Sequence, residues 1–244
     1  MCTILFAWQQ GPKQPFLAIA NRDEFHGRPT QAAHWHDEVF SGLDLRAGGT
    51  WMGIHRRGRF AAVTNFREPV LASGQKSRGE LPLAFLKSQQ TPAEFCQALT
   101  HTQMAYGPFN LLVSDGHSLW YMSNRGGEPT ELAPGIYGLS NGLLDDPWPK
   151  VEWGKATLKR HLHSEDAALF QLLTNNTQPD DDKLPNTGVG MEMERLVAPL
   201  FIQSSEYGTR SSTIVRLLEN GEWRMAEQQW DPQGNPAGPV RKSH

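Results

Sequence analysis

The sequence predicts an α+β fold in which antiparallel sheets are covered by helices. Patterns along the chain read as strands, helices, strands, helices and strands, in that order. The strands come in pairs joined by short turns rich in Gly, Pro and Asn, which is typical of hairpins. Neither an internal repeat nor a break in composition divides the chain. We therefore expect a single domain over 1–231, followed by a flexible Pro- and Gly-rich tail at 232–244.

Length and composition set limits on function. A chain of 244 residues can bury a substantial core. A net charge of −3 argues against a nucleic-acid partner recognised through bulk charge. The two cysteines, Cys2 and Cys96, cannot build a disulfide framework or a four-cysteine zinc site. Apolar runs are too short for a membrane span or a signal segment, so we expect a cytoplasmic protein with no integral membrane segment.

The first predicted hairpin ends in a polar run. Strands at 3–9 and 16–21 are nearly continuously apolar, which indicates burial on both faces. The second strand leads into four polar residues, Asn21, Arg22, Asp23 and Glu24. Strand alternation places the first and third of them on one face and the second and fourth on the other. Buried polar groups are costly unless they pair with one another or face a site, so both an ion pair and a functional site stay open.

Later segments complete the predicted fold. We expect 26–45 to be loop with short extended pieces, and 47–65 to form a hairpin. A helical stretch follows over 77–103, with a capping box and Pro at N1 in Thr91-Pro92-Ala93-Glu94. Further strands are predicted at 109–114, 118–123, 135–140, 213–218 and 222–228, and helices at 150–161, 165–174 and 190–198.

Position 2 holds a candidate nucleophile. Cysteine is small enough for removal of Met1, which would place a thiol and a free α-amine on Cys2. An α-amine with a pKa of about 7.7–8.0 can accept the proton of a thiol with a pKa of about 8.5, so this pair needs no histidine. A nearby cation such as Arg22 would favour the reactive thiolate. The alternative is a small apolar residue that opens a buried strand.

Three further features of the sequence carry weaker hypotheses. The sequence contains two His-x-His pairs, His34 with His36 and His161 with His163. Their spacing fixes no third ligand, and we predict no metal site. The Gly-Gly pair at 48–49 permits a left-handed backbone or a close backbone approach, and no Gly-Lys-Ser/Thr follows to make a phosphate loop. Asn65 ends an apolar strand, from which its amide could donate into a site or close an Asx turn.

Six short motifs in order resemble the NRDE family, also called transport-and-Golgi-organisation-2-like. They are Met-Cys-Thr at 1–3, Ala-Asn-Arg-Asp-Glu at 20–24, Gly-Gly-Thr-Trp at 48–51, Thr-Asn-Phe-Arg-Glu at 64–68, Leu-Ser-Asn at 139–141 and Tyr-Gly-Thr-Arg-Ser-Ser-Thr at 207–213. Any one is weak, but together they span nearly the whole chain. The resemblance implies the four-layer α-β-β-α sandwich of the N-terminal-nucleophile (Ntn) hydrolases, with two antiparallel sheets between helical layers.

By looser similarity to the penicillin V acylases and bile-salt hydrolases, the resemblance also implies residue roles. Cys2 would be the nucleophile, its α-amine the base, and Asp23 would orient that amine. Asn65 and Asn141 match asparagines at or near the oxyanion site, where losing one donor typically costs about 10²–10³ in rate. Arg210 would be a second cation near the thiol. The motif residues expected to bind ligand are Asn21, Arg22, Glu24 and Trp51.

The chain departs from the acylase pattern at one position. Those enzymes carry an arginine three residues before the aspartate, where this sequence has Ala20. Its own arginine, Arg22, is adjacent to Asp23 and would point to the opposite face of a regular strand. The pattern therefore leaves the expected activating cation of Cys2 unassigned.

Two functions follow from the resemblance. The first, which we favour slightly, is a carrier that handles a small hydrophobic or acidic ligand, haem or a fatty acyl-coenzyme A, in a pocket at Cys2 without turnover. Three histidines and a basic turn could line such a pocket: His34, His36, His55, Arg56, Arg57 and Arg59. The alternative is an Ntn amidohydrolase that cleaves a linear C–N amide through a thioester on Cys2. Neither requires a cofactor, haem being a candidate bound ligand, and the sequence does not define an oligomeric state.

Overall fold

The computed structural model describes residues 1–69 and 75–244. Within them, the strands are β1 (Cys2–Trp8), β2 (Phe16–Phe25), β3 (Thr30–His36), β4 (Val39–Asp44), β5 (Met52–His55), β6 (Arg59–Asn65), β7 (Phe109–Ser114), β8 (Leu119–Ser123), β9 (Thr130–Glu131), β10 (Gly135–Leu139), β11 (Tyr207–Leu217), β12 (Trp223–Gln229) and β13 (Arg241–Lys242). The α-helices are α1 (Glu80–Lys87), α2 (Pro92–Thr100), α3 (Pro149–Arg160), α4 (Asp166–Leu173) and α5 (Met191–Leu196).

The strands form two antiparallel sheets. The first has the order β10-β1-β2-β11-β12-β13, and the second runs β3-β4-β5-β6-β7-β8-β9 in chain order. Helices α3 and α4 pack on the first sheet, and α1 and α2 pack on the second. This arrangement confirms the α+β prediction and the four-layer α-β-β-α order.

Side-chain alternation in the first hairpin explains the layers. Ile4, Phe6 and Phe16 join the core shared with the second sheet. Residues at the alternate strand positions, such as Leu5 and Leu17, point to the other face and join a separate core with α3 and α4. A strand in a middle layer is buried on both faces, which is why β1 and β2 read as nearly continuous apolar runs.

The helical segment after β6 confirms its predicted start signal and corrects its extent. Thr91 and Glu94 form the reciprocal capping box, with Pro92 in the first turn of α2. The predicted stretch over 77–103 is two helices, because α1 ends at Lys87 and the chain restarts at the Thr91 cap. A capping signal inside a helical pattern marks a new helix and not a continuation.

Two segments differ from the sequence prediction. Residues 26–45, expected to be loop with short extended pieces, contain the regular hairpin of β3 and β4, whose alternation is hidden by a register shift between Gln31 and His34. Residues 232–244, expected to be a flexible tail, contain β13, which pairs with β12. Trp35 Nε1 donates to the Ser243 carbonyl oxygen at 3.1 Å. The half-buried indole at the edge of the other sheet needs an acceptor, and the tail supplies it.

The Gly-Gly pair at 48–49 has both features that the sequence predicted, a left-handed backbone and a close backbone approach. Gly48 has φ +70°, and a Cβ on Gly49 would lie 2.5 Å from the Gly79 carbonyl carbon. We expect Gly49→Ala to lower the free energy of unfolding by about 1–3 kcal/mol, the range of overpacking changes, in urea titrations. Gly127→Ala is the control, because a Cβ there meets nothing within 4 Å. Equal losses in the two variants would contradict a close approach at Gly49.

Candidate functional site

A cavity of about 280 Å³ lies between the two sheets at the start of β1. Its wall is strongly polar and includes four basic and four acidic residues: Arg22, Arg28, Lys76, Arg78, Asp23, Glu24, Asp44 and Glu227. Apolar side chains such as Trp51 and Val63 contribute a smaller part. A few charged groups that converge in a concave site are the usual mark of ligand binding.

Cys2 opens into this cavity beside Arg22. The two residues are direct partners in the register of β1 and β2, so their side chains share one face of the sheet. The strand pairing therefore brings a cation, Arg22, beside the Cys2 thiol. Burial raises the pKa of the Cys2 thiol to about 11, whereas the N-terminal amine and Arg22 act to lower it. With Met1 in place, the thiol is protonated at neutral pH.

Asp23 lies beside the N-terminal amine. The Met1 amine donates to the Asp23 carbonyl oxygen and to the Tyr207 hydroxyl. Thr209 Oγ1 donates to Asp23 Oδ1 at 2.7 Å, and Oδ2 has no partner within the described ranges. Burial raises the pKa of the Asp23 carboxyl, while the N-terminal amine and Lys150 oppose that shift. The structure therefore brings Cys2, Asp23 and the chain's amine together.

Lys150 is a second buried cation near Asp23. It lies on α3, and Nζ donates to the Val197 carbonyl oxygen at 2.8 Å. Burial lowers its pKa to about 8, whereas the charge of Asp23 acts to raise it. The aspartate thus has a counter-charge on its helical side that sequence analysis did not identify.

The two asparagines take different places. Asn65 lies on the cavity wall, and its side-chain amide makes no hydrogen bond to any residue in 1–69 or 75–244. Asn141 lies behind it, fully buried, and its Nδ2 donates to the Asn65 carbonyl oxygen at 2.8 Å. Asn65 is therefore free to donate to a ligand, and Asn141 holds the backbone that presents it.

Arg210 is directed away from the cavity. It lies in a register irregularity between β11 and β2. Its Nη1 donates to the carbonyl oxygens of Phe25 and His26, both at 3.0 Å. The guanidinium fastens the turn that follows β2, and the structure does not bring it to the cavity wall.

Of the motif residues, one supports the fold and the other three line the cavity. Asn21 is fully buried on the helical face, where Nδ2 donates to the carbonyl oxygens of Leu173 and Leu200. It ties α4 to the sheet. Arg22, Glu24 and Trp51 line the cavity, and an ion pair of 3.6 Å joins the first two. The alternation predicted for the polar run and the Arg–Glu pair are both present.

The candidate haem-binding histidines lie elsewhere. His36 Nε2 is 2.7 Å from Ser41 Oγ, and His34 Nδ1 is 3.0 Å from the Ala32 carbonyl oxygen. His55 Nε2 lies 3.6 Å from a Glu38 carboxylate oxygen. None of the three lines the cavity. Across the described chain, no group of three or more His, Cys, Asp or Glu residues is arranged to hold a metal ion.

Sequence analysis missed several cavity residues. Arg78 and Lys76 precede α1, and Arg78 Nη1 donates to the Pro108 carbonyl oxygen at 3.0 Å. Their place on the wall depends on tertiary contacts, and no local pattern signals it. Glu227 had a local signal, because it shares strand parity with the buried Trp223 and Met225. A charged residue on the apolar face of a strand is a candidate site residue.

No helix in the described parts of the chain is long and apolar enough to cross a membrane.

Two antiparallel sheets between helical layers, with a charged cavity at Cys2, define an α-β-β-α sandwich protein with a candidate small-molecule site. The family model described as "Transport and Golgi organisation 2" matches residues 1–232, and the chain belongs to that family. The Transport and Golgi organization protein 2 homolog of Bos taurus is 35% identical over 256 residues, which cover 93% of this chain and 92% of that protein. The Homo sapiens homolog is 32% identical over 255 residues, with the same two coverages, 93% and 92%. These matches confirm the resemblance drawn from the six motifs.

Among solved structures, the chain is similar to a variant of the conjugated bile acid hydrolase from Clostridium perfringens. The TM-score is 0.46 and the sequence identity is 11%, covering 100% of this chain and 97% of that chain. The layer order of the fold follows from the chain's own strand order and helix contacts.

Proposed function

We propose that the protein is a cysteine-type Ntn amidohydrolase that cleaves a C–N amide in a small polar molecule. The observation that carries this proposal is the strand register that sets Cys2 against Arg22 on the wall of a charged cavity. Removal of Met1 would free the Cys2 amine next to Asp23, whose backbone carbonyl oxygen now accepts from the Met1 amine. Thiol, amine and orienting carboxylate would then form one unit.

The reaction can be written on these groups. The Cys2 sulfur attacks the amide carbonyl carbon while its proton passes to the Cys2 α-amine. Asn65 donates to the oxyanion that forms, the kind of contact that typically contributes about 10²–10³ in rate. As the C–N bond breaks, the ammonium returns the proton to the leaving nitrogen and a thioester remains. Water, deprotonated by the same amine, then attacks the thioester and releases the carboxylic acid and the thiol.

The size and polarity of the cavity favour this function over haem or acyl-coenzyme A transport. Small-molecule pockets usually hold about 300–1,000 Å³, and this one is about 280 Å³ with a largely charged wall. A porphyrin or a long acyl chain would need a larger apolar surface. The haem and acyl-coenzyme A roles implied by the resemblance stay predictions.

One observation favours a second candidate, a binding protein without turnover. With Met1 present, its amine binds Asp23 and Tyr207, and its side chain packs in an apolar cluster with Val197 and Ile202. In that state the Cys2 nitrogen belongs to a peptide bond and cannot act as a base. A protein that keeps Met1 would bind small molecules in the same cavity and leave them intact.

The intact mass of untagged protein tests the first candidate. We expect a mass lacking Met1, together with hydrolysis of at least one amide in a panel of small polar amides. The matched control is the same chain with one extra N-terminal residue retained before Cys2, which should bind amides and hydrolyse none. Retention of Met1 in the untagged protein, or equal activity in the control, would overturn the amine-base mechanism.

A further inference from the structure

Glu227 is a buried carboxylate that the proposed reaction does not use. It lies on β12, on the face that points between the sheets, and only 1% of its surface is exposed. It nevertheless contributes to the cavity wall. One oxygen, Oε1, accepts hydrogen bonds from the Ala33 backbone N–H and from Gln229 Nε2, both at 2.7 Å.

A structural role explains the hydrogen bonds that Glu227 Oε1 accepts, but it does not require the side chain to be a carboxylate. The register shift in β3 leaves the Ala33 N–H without a strand partner, and Glu227 satisfies it. A glutamine would do the same, because its amide oxygen can accept both hydrogen bonds. Burying an ionised carboxylate is costly unless a positive group compensates it. Burial raises the pKa of the Glu227 carboxyl, whereas its hydrogen bonds and the charge of Arg22 act to lower it. A positive group from outside the protein would compensate the ionised form.

No protein cation compensates Glu227 directly. Within 1–69 and 75–244, no lysine, arginine or histidine lies within ion-pair distance of its carboxylate. Arg22 acts on it at longer range and pairs with Glu24 instead. Arg78, another half-buried cation of the wall, acts on Cys2 and Glu24. Neither guanidinium therefore forms an ion pair with Glu227 in the described residues.

The Ser211 hydroxyl is a further hydrogen-bond donor to the Glu227 carboxyl, and both residues line the cavity. Oε2 lies next to Gly42, where a Cβ would come within 3.4 Å of it. With glycine there, the cavity reaches the carboxylate. A buried, charged acceptor on a cavity wall is suited to a donor brought by the ligand.

We propose that Glu227 forms a subsite for a positively charged ammonium group of the ligand. The inference rests on the proposed function, and it makes the substrate class a small amide that carries an amine several bonds from the scissile C–N bond. The Cys2 end would hold the amide, and Glu227 would fix the other end by a charge-assisted hydrogen bond.

A matched pair of small amides tests this subsite. N-acetylethylenediamine carries an ammonium group at neutral pH, and N-propylacetamide replaces that group with a methyl. We would measure both affinities by calorimetry and ligand-observed NMR on the Cys2→Ala protein, which cannot turn the probes over. The ammonium compound should bind at least about tenfold more tightly, which corresponds to about 1.4 kcal/mol.

The variant Glu227→Gln should remove that preference and leave the fold intact, since the amide oxygen keeps the Ala33 contact. Glu222→Gln is the control, because Glu222 is exposed and pairs with Arg224 outside the cavity; it should keep the full preference. Equal binding of the two probes, no binding of the ammonium compound, or an unchanged preference in Glu227→Gln would each overturn the subsite. A preference without hydrolysis by the Cys2 protein would overturn the proposed function and leave the subsite standing.

Discussion

Replacing Cys2 with alanine is expected to reduce amide hydrolysis to the rate measured without protein. The acyl group would then have no sulfur to accept it, and loss of a nucleophile can cost about 10⁶ in kcat. Alanine is also small enough to permit removal of Met1, so the amine and Asp23 stay in place. Binding of the amide should change little, because Arg22, Asn65 and the charged wall are unaltered. Hydrolysis by purified protein, followed by chromatography of the acid product, measures the effect.

Cys96→Ala is the matched control for this loss. Cys96 lies fully buried on α2, and it is not part of the cavity wall. Its replacement should leave the rate unchanged and lower stability slightly, since one buried sulfur is removed. Equal losses of activity in the two variants would indicate a folding defect, and full activity in Cys2→Ala would exclude Cys2 as the nucleophile.

Much of the fold could be predicted from local sequence patterns. Apolar runs on both faces identified β1 and β2 as a central hairpin, and the Thr91 capping box marked the start of α2. The motif around Asp23 and the position of Cys2 next to Met1 predicted candidate site residues. These patterns are local, so they can be recognised in the sequence without knowledge of the tertiary structure.

The rest depended on strand register and tertiary contacts. Arg22 looked misplaced when compared with Asp23 along one strand, yet the pairing of β1 with β2 sets it directly against Cys2. Arg210 matched a family motif, but a register irregularity turns its guanidinium to the carbonyl oxygens after β2. Pairing between distant segments is fixed by the whole fold, and a single sequence does not specify it.

A buried ion pair joins two segments near the site, and breaking it is expected to be strongly destabilising. Arg67 Nη1 lies 2.5 Å from Glu194 Oε2, and both side chains are at most 5% exposed. The Thr187 backbone N–H and hydroxyl donate to the other carboxylate oxygen of Glu194 at 2.8 and 2.6 Å. The Arg67 backbone N–H donates to the Asn141 carbonyl oxygen, so the pair connects α5 to the segment that presents Asn65.

We expect Glu194→Ala to lower the free energy of unfolding by about 3–5 kcal/mol, because it leaves the buried Arg67 charge without its carboxylate. Urea titration followed by far-UV circular dichroism measures the change. Asp181→Ala is the control: Asp181 pairs with Arg195 on the surface, where both side chains are at least 50% exposed, and stability should not change measurably.

The double variant Arg67→Met with Glu194→Leu separates the cost of an unpaired charge from the value of the pair itself. Apolar replacements of a buried pair are often neutral or stabilising, so the double variant should lose less stability than Glu194→Ala alone. A loss in the double variant equal to or larger than that of Glu194→Ala would show that the pair stabilises the fold by its own attraction. A smaller loss would instead indicate that the Arg67–Glu194 pair selects one conformation. The pair would hold α5 against the Asn65 segment, so that the cavity at Cys2 keeps one shape.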